Sequence, residues 1–216
     1  MNYNFKREWP FLVILAIPLI VAILVYPHMP DQVPTHWNIK GEVDNYGSKA
    51  FGTFFLPVLN VLMYFLFLVL PKFDPKRSNY IKFDSSYLTI RYSLHLFFAL
   101  IFGVTVAASL GYPINIDKWI PGGVAVLFIV LGNVMGRVRH NYFVGFKYPW
   151  TLANEEVWRR THQLGAKLMV LGGFAGLIGV IFTQGSTSFM ILMAGILVPV
   201  IITSIYSYII YKQIER

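Results

Sequence analysis

Residues Asn141 to Lys167 read NYFVGFKYPWTLANEEVWRRTHQLGAK and form the longest polar break in the second half of an otherwise apolar chain. Pro149 pushes the residue before it into an extended conformation, so a new helix begins after this point. Thr151 and Asn154 are both suited to cap that helix, because their side-chain oxygens accept hydrogen bonds from its first free N–H groups. The stretch therefore predicts a helix that starts close to one of these two residues.

Acidic and basic side chains follow each other along this predicted helix in the favourable order. Two acid–base pairs have i,i+4 spacing with the acid first, which stabilises a helix by about 0.3–0.5 kcal/mol per pair. These pairs are Glu155 with Arg159 and Glu156 with Arg160. Trp158 and His162 share one helical face, and the sequence turns apolar at Leu164. We therefore expect an amphipathic surface helix that continues into a membrane span.

Composition indicates a membrane protein. The 216 residues are 56% hydrophobic and 13% charged, and the mean hydropathy is +0.58; the charged fraction is about half that of an average soluble protein. The net charge of +8 comes from basic residues that flank apolar stretches, which indicates membrane topology and not nucleic-acid binding. The absence of cysteine excludes disulfides, thiol catalysis and cysteine metal sites.

Six apolar segments are each close to the ~20 residues needed to cross a ~30 Å hydrocarbon core. They are Pro10–Tyr26, Phe51–Leu70, Leu88–Leu110, Ile120–Met135, Leu164–Thr183 and Phe189–Tyr211. Backbone groups cannot stay unpaired in lipid, so these segments are predicted to be helices. Lys6 and Arg7 precede the first segment as in a signal peptide, but no small-residue cleavage site follows. We therefore predict an all-α integral membrane protein with six transmembrane helices, the first of which is retained.

Basic residues are distributed very unequally between the two ends of these predicted helices. Fifteen of the eighteen Lys and Arg residues, from Lys6 to Arg216, lie at the ends that include both termini. The other three are Lys40, Lys49 and Lys118. Because segments rich in Lys and Arg stay in the cytoplasm, both termini and the stretch after Asn141 are predicted to be cytoplasmic, and residues 28–50 extracytoplasmic.

The larger outside loop, residues 28–50, is predicted to be structured. Prolines stiffen its entry, and Gly41 marks the turn of a small hairpin. The two other outside connections are short, so no separate folded domain is expected there. The chain divides into an N-terminal two-helix unit, residues 1–87, that carries this loop, and a four-helix unit, residues 88–216, that carries the cytoplasmic stretch 141–163.

The polar residues inside the predicted spans include four site candidates, namely Asn60, Arg91, His95 and Asn133. Such residues are functional candidates by default, but hydrogen bonds between helices, at about 0.6 kcal/mol each, explain them more simply. Arg91 is one turn inside its helix, so its side chain is expected to extend to the cytoplasmic interface. The alternative function is a small transporter or exporter in which Asn60, His95 and Asn133 line a path.

Motifs of common enzymes are missing from the sequence. There is no G-x-S-x-G turn, no H-E-x-x-H motif and no Gly-rich phosphate loop, so we predict no enzymatic activity, no catalytic residue and no cofactor. One cluster of possible metal ligands lies outside, but its spacing matches no standard site, and no bound metal is predicted. The cluster consists of His28, Asp31, His36, Glu42 and Asp44. A metal-dependent membrane enzyme that uses this cluster is the less favoured alternative.

Two blocks of sequence resemble a known family of bacterial membrane proteins. The run N-x-x-x-G-x-K-x-P-W-T-L-x-x-E-x-x-W, from Asn141 to Trp158, is similar to the signature of SdpI-type proteins. The block PDQVPTHWNIKGEVDNYGSK, from Pro30 to Lys49, resembles a small domain of unknown function that precedes the signature in longer members. The resemblance implies a multi-pass protein of the bacterial cytoplasmic membrane that gives immunity to a secreted, membrane-active killing peptide.

The resemblance also implies two binding surfaces. The outside loop would contact the toxin peptide through His28, Asp31, Pro34, His36, Trp37, Asp44, Tyr46 and Lys49. The cytoplasmic signature would bind a transcriptional repressor through Asn141, Gly145, Lys147, Pro149, Trp150, Thr151, Glu155, Trp158, Arg159 and His162. The simpler interpretation of the second set is an amphipathic anchor, with tryptophans at the interface and arginines on anionic lipid headgroups. Direct nucleic-acid binding is not expected.

Overall fold

The structure is a computed structural model that describes residues 5–215, so Arg216 of the charge count lies outside the described residues. Among the described residues the regular structure is mostly α-helical, with one β-hairpin and two 3₁₀ turns, Tyr26–His28 and Arg77–Phe83. The elements are, in chain order, α1 (Phe5–Val25), β1 (Gln32–Trp37), β2 (Val43–Ser48), α2 (Lys49–Phe73), α3 (Asp84–Ser109), α4 (Ile116–Met135), α5 (Pro149–Ala153), α6 (Glu155–Phe182) and α7 (Gly185–Ile214).

Six of these helices, all except the short α5, are long and apolar enough to cross a membrane. Each contains all or nearly all of one predicted segment. The helix α6 starts at Glu155, well before the apolar part at Leu164, so the predicted surface helix and the fifth span form one continuous helix of 28 residues. At 1.5 Å per residue this helix is about 42 Å long, and about 12 Å of it extends beyond a ~30 Å hydrocarbon core.

Successive long helices run in opposite directions, so the two β-strands and the signature lie at opposite ends of the bundle. The hairpin end holds the α1–α2, α3–α4 and α6–α7 connections. The signature end holds the start of α1 and the end of α7 together with the α2–α3 and α4–α5 connections. The helix α3 packs against α1 and α2 on one side and against α4 on the other, and thereby joins the two halves of the bundle.

The β-strands are packed against the helix ends and do not form a free loop. Val33 of β1 is fully buried in a cluster with Ala22 of α1 and Phe102 of α3. Gly52 in the first turn of α2 permits this close approach, since a Cβ there would overlap the Val33 side chain. The hairpin is therefore held in place by the first three helices.

Glycines allow the helices of the second half to pack backbone against backbone. The helices α6 and α7 meet at Gly172 and Gly195, where a Cβ on either residue would overlap the carbonyl oxygen of the other. The helices α4 and α6 meet at Gly132, where a Cβ would lie 2.9 Å from the backbone nitrogen of Val170. Small residues at helix contacts are typical of membrane bundles, because lipid provides no hydrophobic force between helices.

The hairpin confirms the predicted turn and corrects the all-α fold class. The strands β1 and β2 pair antiparallel, and Asn38 closes the turn by accepting hydrogen bonds from the N–H groups of Lys40 (2.8 Å) and Glu42 (3.2 Å). Gly41 has a φ of +80°, a conformation that glycine adopts without steric cost. A strand pair forms here because this connection is long and polar enough to satisfy its backbone groups by itself.

The side of the membrane on which each end lies stays a prediction from the distribution of Lys and Arg. Cysteines placed at Asn45 in the hairpin and at Ala153 in α5, both exposed positions, should react with a membrane-impermeant maleimide from opposite sides. We expect Asn45→Cys to react in intact cells and Ala153→Cys only after permeabilisation. The chain has no other cysteine to interfere. Labelling of both positions from the same side would contradict the six-span arrangement.

Candidate functional site

The signature loop, residues 137–148 between α4 and α5, is folded around Asn141. This side chain is fully buried, and its oxygen accepts hydrogen bonds from the N–H groups of Phe143 (2.9 Å) and Val144 (2.7 Å). Its nitrogen donates to the carbonyl oxygens of Arg139 (2.8 Å) and Val144 (2.9 Å). Because one side chain pairs four backbone groups, the loop is compact without regular secondary structure.

His162 of α6 fixes the middle of the signature loop. Its Nε2 accepts a hydrogen bond from the N–H of Phe146 (3.0 Å), so its Nδ1 carries the proton and donates to the carbonyl oxygen of Trp158 (2.8 Å). Gly145 passes directly over the ring with a φ of +124°, and a Cβ at this position would overlap Nε2. Glycine is therefore required at position 145 for the loop to reach α6.

Trp158 links the end of α4 to α6. The side chain is 1% exposed and stacks on His162, with the ring centroids 4.0 Å apart. Its Nε1 donates to the carbonyl oxygen of Val138 (3.0 Å), as expected for a buried indole. Thr151, which is also buried, donates to the carbonyl oxygen of Phe146 (2.8 Å). These contacts make the loop, α5 and the start of α6 one packed unit.

The α2–α3 connection completes the signature end. The buried carboxylate of Asp74 accepts hydrogen bonds from the hydroxyl of Tyr80 (3.0 Å) and the N–H of Tyr142 (2.9 Å). Asn79 donates to the carbonyl oxygen of His140 (2.9 Å). Sequence patterns do not reveal these contacts, because Asn79 and Asp74 lie 61 and 68 positions from the loop residues that they contact.

A cleft of about 350 Å³ opens beside the signature loop, lined by Arg139, His140, Glu155 and Arg159 among others. His140 is 5% exposed, and its Nε2 has no hydrogen-bond partner in the described part of the chain. Burial, and next the charge of Lys76, lower the pKa of His140 below its ordinary value. The ring is therefore neutral at physiological pH.

The signature residues differ in exposure, and this corrects two expectations. The buried ones are Asn141, Thr151, Trp158 and His162, whereas the exposed ones are Lys147, Pro149, Glu155 and Arg159. Gly145 and Trp150 are half-buried, and Trp150 donates from Nε1 to the hydroxyl of Ser207 on α7 (2.5 Å). Trp158 is thus enclosed within the bundle and is not an interface anchor, whereas Trp150 is bonded to α7 and stays partly exposed. The four buried side chains are also closed to direct contact with a partner.

Asn154 and the acidic residues after it organise the start of α6. Asn154 caps the helix, since its side-chain oxygen accepts hydrogen bonds from two N–H groups of the first turn. Of the two predicted acid–base pairs, Glu156 with Arg160 forms at 2.6 Å. Glu155 does not pair with Arg159, because Arg159 turns to Glu156 instead, also at 2.6 Å.

Arg91 is held inside the bundle and does not extend to the interface as expected. Its side chain is fully buried and makes two hydrogen bonds to Glu8 of α1, at 3.0 and 2.7 Å. Glu8 also accepts a hydrogen bond from the hydroxyl of Tyr64 on α2 (3.1 Å), and the guanidinium lies 4.2 Å from the ring centroid of Phe11. Glu8 was not a sequence candidate, because it precedes the apolar part of the first segment.

The other intramembrane candidates do not form a path. His95 and Asn60 are both buried and share a hydrogen bond of 2.6 Å between His95 Nδ1 and Asn60 Oδ1. Asn133 is exposed on the outside of α4, so the three residues proposed for a transporter do not line one cavity. The pair of His95 and Asn60 is the interhelical hydrogen bond that the simpler interpretation predicts.

The outer pocket is a cleft of about 590 Å³ at the hairpin end, between the hairpin and the ends of α3, α4 and α7. The hairpin contributes His36, Trp37 and Asp44, three of the residues expected to contact a toxin. The helices contribute Ile101, Asp117, Ile120, Pro121 and Phe189. The pocket is therefore built by both halves of the bundle, and most of its wall is apolar.

The remaining outside candidates lie away from the outer pocket. His28, Asp31 and Tyr46 are exposed. Lys49 Nζ donates to a backbone carbonyl oxygen in the α1–α2 connection (3.3 Å), and Pro34 lies within β1. Pro34 and Tyr46 pair across the two strands, and the Lys49 N–H donates to the carbonyl oxygen of Asp31 (2.9 Å). These five residues lie in or beside the hairpin and do not line the outer pocket.

The outside residues considered as metal ligands are not assembled into a site. His36 Nδ1 lies 2.5 Å from the carboxylate of Asp44, but no third ligand joins them. Within residues 5–215, no group of three or more His, Cys, Asp and Glu side chains is arranged to hold a metal ion. The pair instead links the two strands of the hairpin across the ladder.

Comparison with known proteins finds similarity to described families in both halves of the chain. The model of the SdpI/YfhL protein family matches residues 137–207, which contain the signature loop, α5, α6 and most of α7. This part of the chain is therefore similar to the SdpI/YfhL protein family. A second model, described as a domain of unknown function (DUF1648), matches residues 13–61, which contain most of α1, the hairpin and the first half of α2.

The similarity to one known protein extends through the segments between these two matches. The chain is 28% identical over 213 residues to a Bacillus subtilis (strain 168) protein described as Immunity protein SdpI, covering 97% of this chain and 98% of that protein. No solved structure matches the chain. The family match and the six long apolar helices together indicate a multi-pass membrane protein, and the resemblance seen in the sequence is confirmed.

Replacing Gly145 with alanine should destabilise the signature loop. The added Cβ overlaps His162, and the φ of +124° is unfavourable for alanine, so we expect a loss of about 1–3 kcal/mol in the free energy of unfolding. Thermal unfolding in detergent measures this loss. Gly103→Ala is the matched control, because nothing lies within 4 Å of its added Cβ, and its midpoint should not fall. An unchanged midpoint for Gly145→Ala would contradict the described contact with His162.

Removing one member of the Glu8–Arg91 pair should cost more than removing both. Glu8→Leu leaves a buried cation without its partner, which costs about 3–5 kcal/mol, whereas the double variant Glu8→Leu/Arg91→Met contains neither charge. Arg7→Met is the control: its ion pair with Asp84 has side chains that are 37% and 28% exposed and is worth less than about 1 kcal/mol. Equal losses of thermal stability in the single and double variants would contradict the pairing.

Proposed function

We propose that this protein is a membrane immunity protein that protects the bacterium producing it from a secreted, membrane-active peptide. The observation that carries the proposal is the similarity to Immunity protein SdpI over 97% of the chain. The similarity includes the hairpin region and the signature, so one relative shares both ends of the bundle. We place the protein in the bacterial cytoplasmic membrane, with both termini in the cytoplasm and the hairpin outside.

In this proposal the hairpin end meets the peptide. Its residues include three lysines and four acids, a net charge of −1, while the rest of the chain carries +9. The outer pocket offers His36, Trp37 and Asp44 at this end. A peptide bound there is kept from inserting into the bilayer, and protection follows from binding alone because no catalytic step is required. The other five outside candidates lie next to this contact, outside the pocket.

The signature end supports a second role, the binding of a cytoplasmic protein, which the resemblance identifies as a transcriptional repressor. The exposed side chains there include Arg139, Lys147, Glu155, Arg159 and Arg160. Arginine and lysine predominate, so an acidic surface is the complementary partner. The buried residues Trp158 and His162 would contribute by holding the signature loop in one shape, and the exposed residues by contact.

The immunity function is tested in a bacterium that the secreted peptide kills. Expression of the chain should raise survival, and the double substitution His36→Ala/Trp37→Ala should lower that survival at least about tenfold, because loss of a buried aromatic contact commonly costs more than 1.4 kcal/mol of binding. The readouts are colony counts after exposure and membrane abundance by immunoblotting.

Tyr112→Ala is the matched control for this assay, because Tyr112 is 63% exposed at the same end and does not line the outer pocket. It should leave protection unchanged. Full protection by the double variant at equal abundance would exclude the pocket as the contact. Absence of protection by the parent chain would overturn the immunity function itself.

A further inference from the structure

The outer pocket combines an apolar wall with acidic groups, and this combination indicates the chemistry of its ligand. We propose that the pocket binds a cationic, apolar segment of a peptide, with the carboxylate of Asp117 pairing with the positive charge. The proposal rests on the immunity function for the identity of the peptide, but the chemistry of the site follows from the pocket itself.

The size and wall of the pocket suit a short segment of a peptide. Its volume of about 590 Å³ lies within the ~300–1,000 Å³ of typical ligand sites, which is room for a few side chains. Ile101 of α3, Ile120 of α4 and Phe189 of α7 come from three different helices and enclose the apolar part. Apolar side chains of a bound segment would lose contact with water here, at about 25 cal/mol per Å² of buried area.

The charged groups of the wall favour a cation. Asp117 is half-buried in the first turn of α4, and within residues 5–215 its carboxylate has no hydrogen-bond or ion-pair partner. The hairpin turn covers it closely, since a Cβ on Gly41 would lie 2.9 Å from the Asp117 Cβ. Among the described lining residues there is no Lys or Arg. A carboxylate that is partly removed from water gains most from a positive charge supplied by a ligand.

Trp37 provides a second polar group without a partner in the same wall, an indole N–H. Its Nε1 is buried and has no acceptor in the described part of the chain, and an unsatisfied buried donor is unfavourable. A carbonyl oxygen of a bound peptide is a suitable acceptor for this N–H. The wall therefore lacks a hydrogen-bond donor for Asp117 and an acceptor for Trp37. A basic residue of a bound peptide supplies both, because its side chain is a cationic donor and its backbone carbonyl oxygen is an acceptor.

The pocket lies where the two family regions meet at the hairpin end. Trp37 belongs to the DUF1648 match, residues 13–61, and Phe189 to the SdpI match, residues 137–207. Asp117 lies on α4, between the two matches. A ligand in the pocket therefore touches elements from both halves, and its binding energy favours the arrangement in which the hairpin lies on α4 and α7.

The test uses the full chain in nanodiscs of zwitterionic phosphatidylcholine and two synthetic amphipathic peptides of equal length, one of Leu and Lys and one of Leu and Glu. Fluorescence anisotropy of the labelled peptides gives the Kd, with empty nanodiscs as the blank. The parent chain should bind the Leu/Lys peptide and not the Leu/Glu peptide. Asp117→Asn should weaken binding at least about tenfold, and Asp117→Lys should transfer the preference to the Leu/Glu peptide.

Glu42→Gln is the matched control, because it removes one negative charge from the hairpin turn at a residue that does not line the pocket. The glutamine oxygen can still accept the hydrogen bond from the Asn38 side chain (3.0 Å), so the Kd should equal that of the parent. If Glu42→Gln and Asp117→Asn weaken binding equally, the cationic peptide is attracted by the overall negative charge of the hairpin end. That result would overturn the proposed site. Failure of the parent chain to bind the Leu/Lys peptide would overturn it as well.

The survival assay separates this site from the immunity function. If the parent chain protects and Asp117→Asn protects equally at equal abundance, the pocket proposal fails while the immunity function stands. If the parent chain binds the Leu/Lys peptide and Asp117→Asn does not, the site is established even where no protection is seen, and the immunity function fails instead.

Discussion

A polar group that is removed from water inside a membrane protein has to find its partner in the protein itself. In this bundle a small number of side chains meet the requirement, because each of them hydrogen-bonds to several groups. Asn141 pairs four backbone groups of the signature loop, and Glu8 serves both Arg91 and Tyr64. The positions of α1 and of the signature loop follow from these contacts, and the helices are placed around them.

Much of the fold is predictable from the sequence because membrane spans have a simple requirement of length and apolarity. All six long helices lie where the apolar segments predict them, and Gly41 marks the hairpin turn. The contacts between distant segments are not predictable in this way. Glu8 meets Arg91 across 83 positions and Asp74 meets Tyr142 across 68, and a single sequence carries no sign of such pairs.

The candidate sites are also only partly predictable from the sequence, for a different reason. Trp158 and His162 share a helical face as their spacing predicts, but a buried tryptophan and one at a membrane interface have the same residue type, so only packing distinguishes them. The sequence identifies three residues of the outer pocket as candidates, namely His36, Trp37 and Asp44. Asp117 is not among them, because its role arises only when the hairpin turn lies over the first turn of α4.

The ion pair between α1 and α3 has a consequence for biosynthesis. Glu8 leaves the ribosome 83 residues before Arg91, which at about 5–20 residues per second is roughly 4–17 seconds of translation. During this interval the carboxylate lacks the guanidinium that pairs with it in the folded bundle. The contact that joins α1 to α3 can therefore form only after the first turns of α3 have been synthesised.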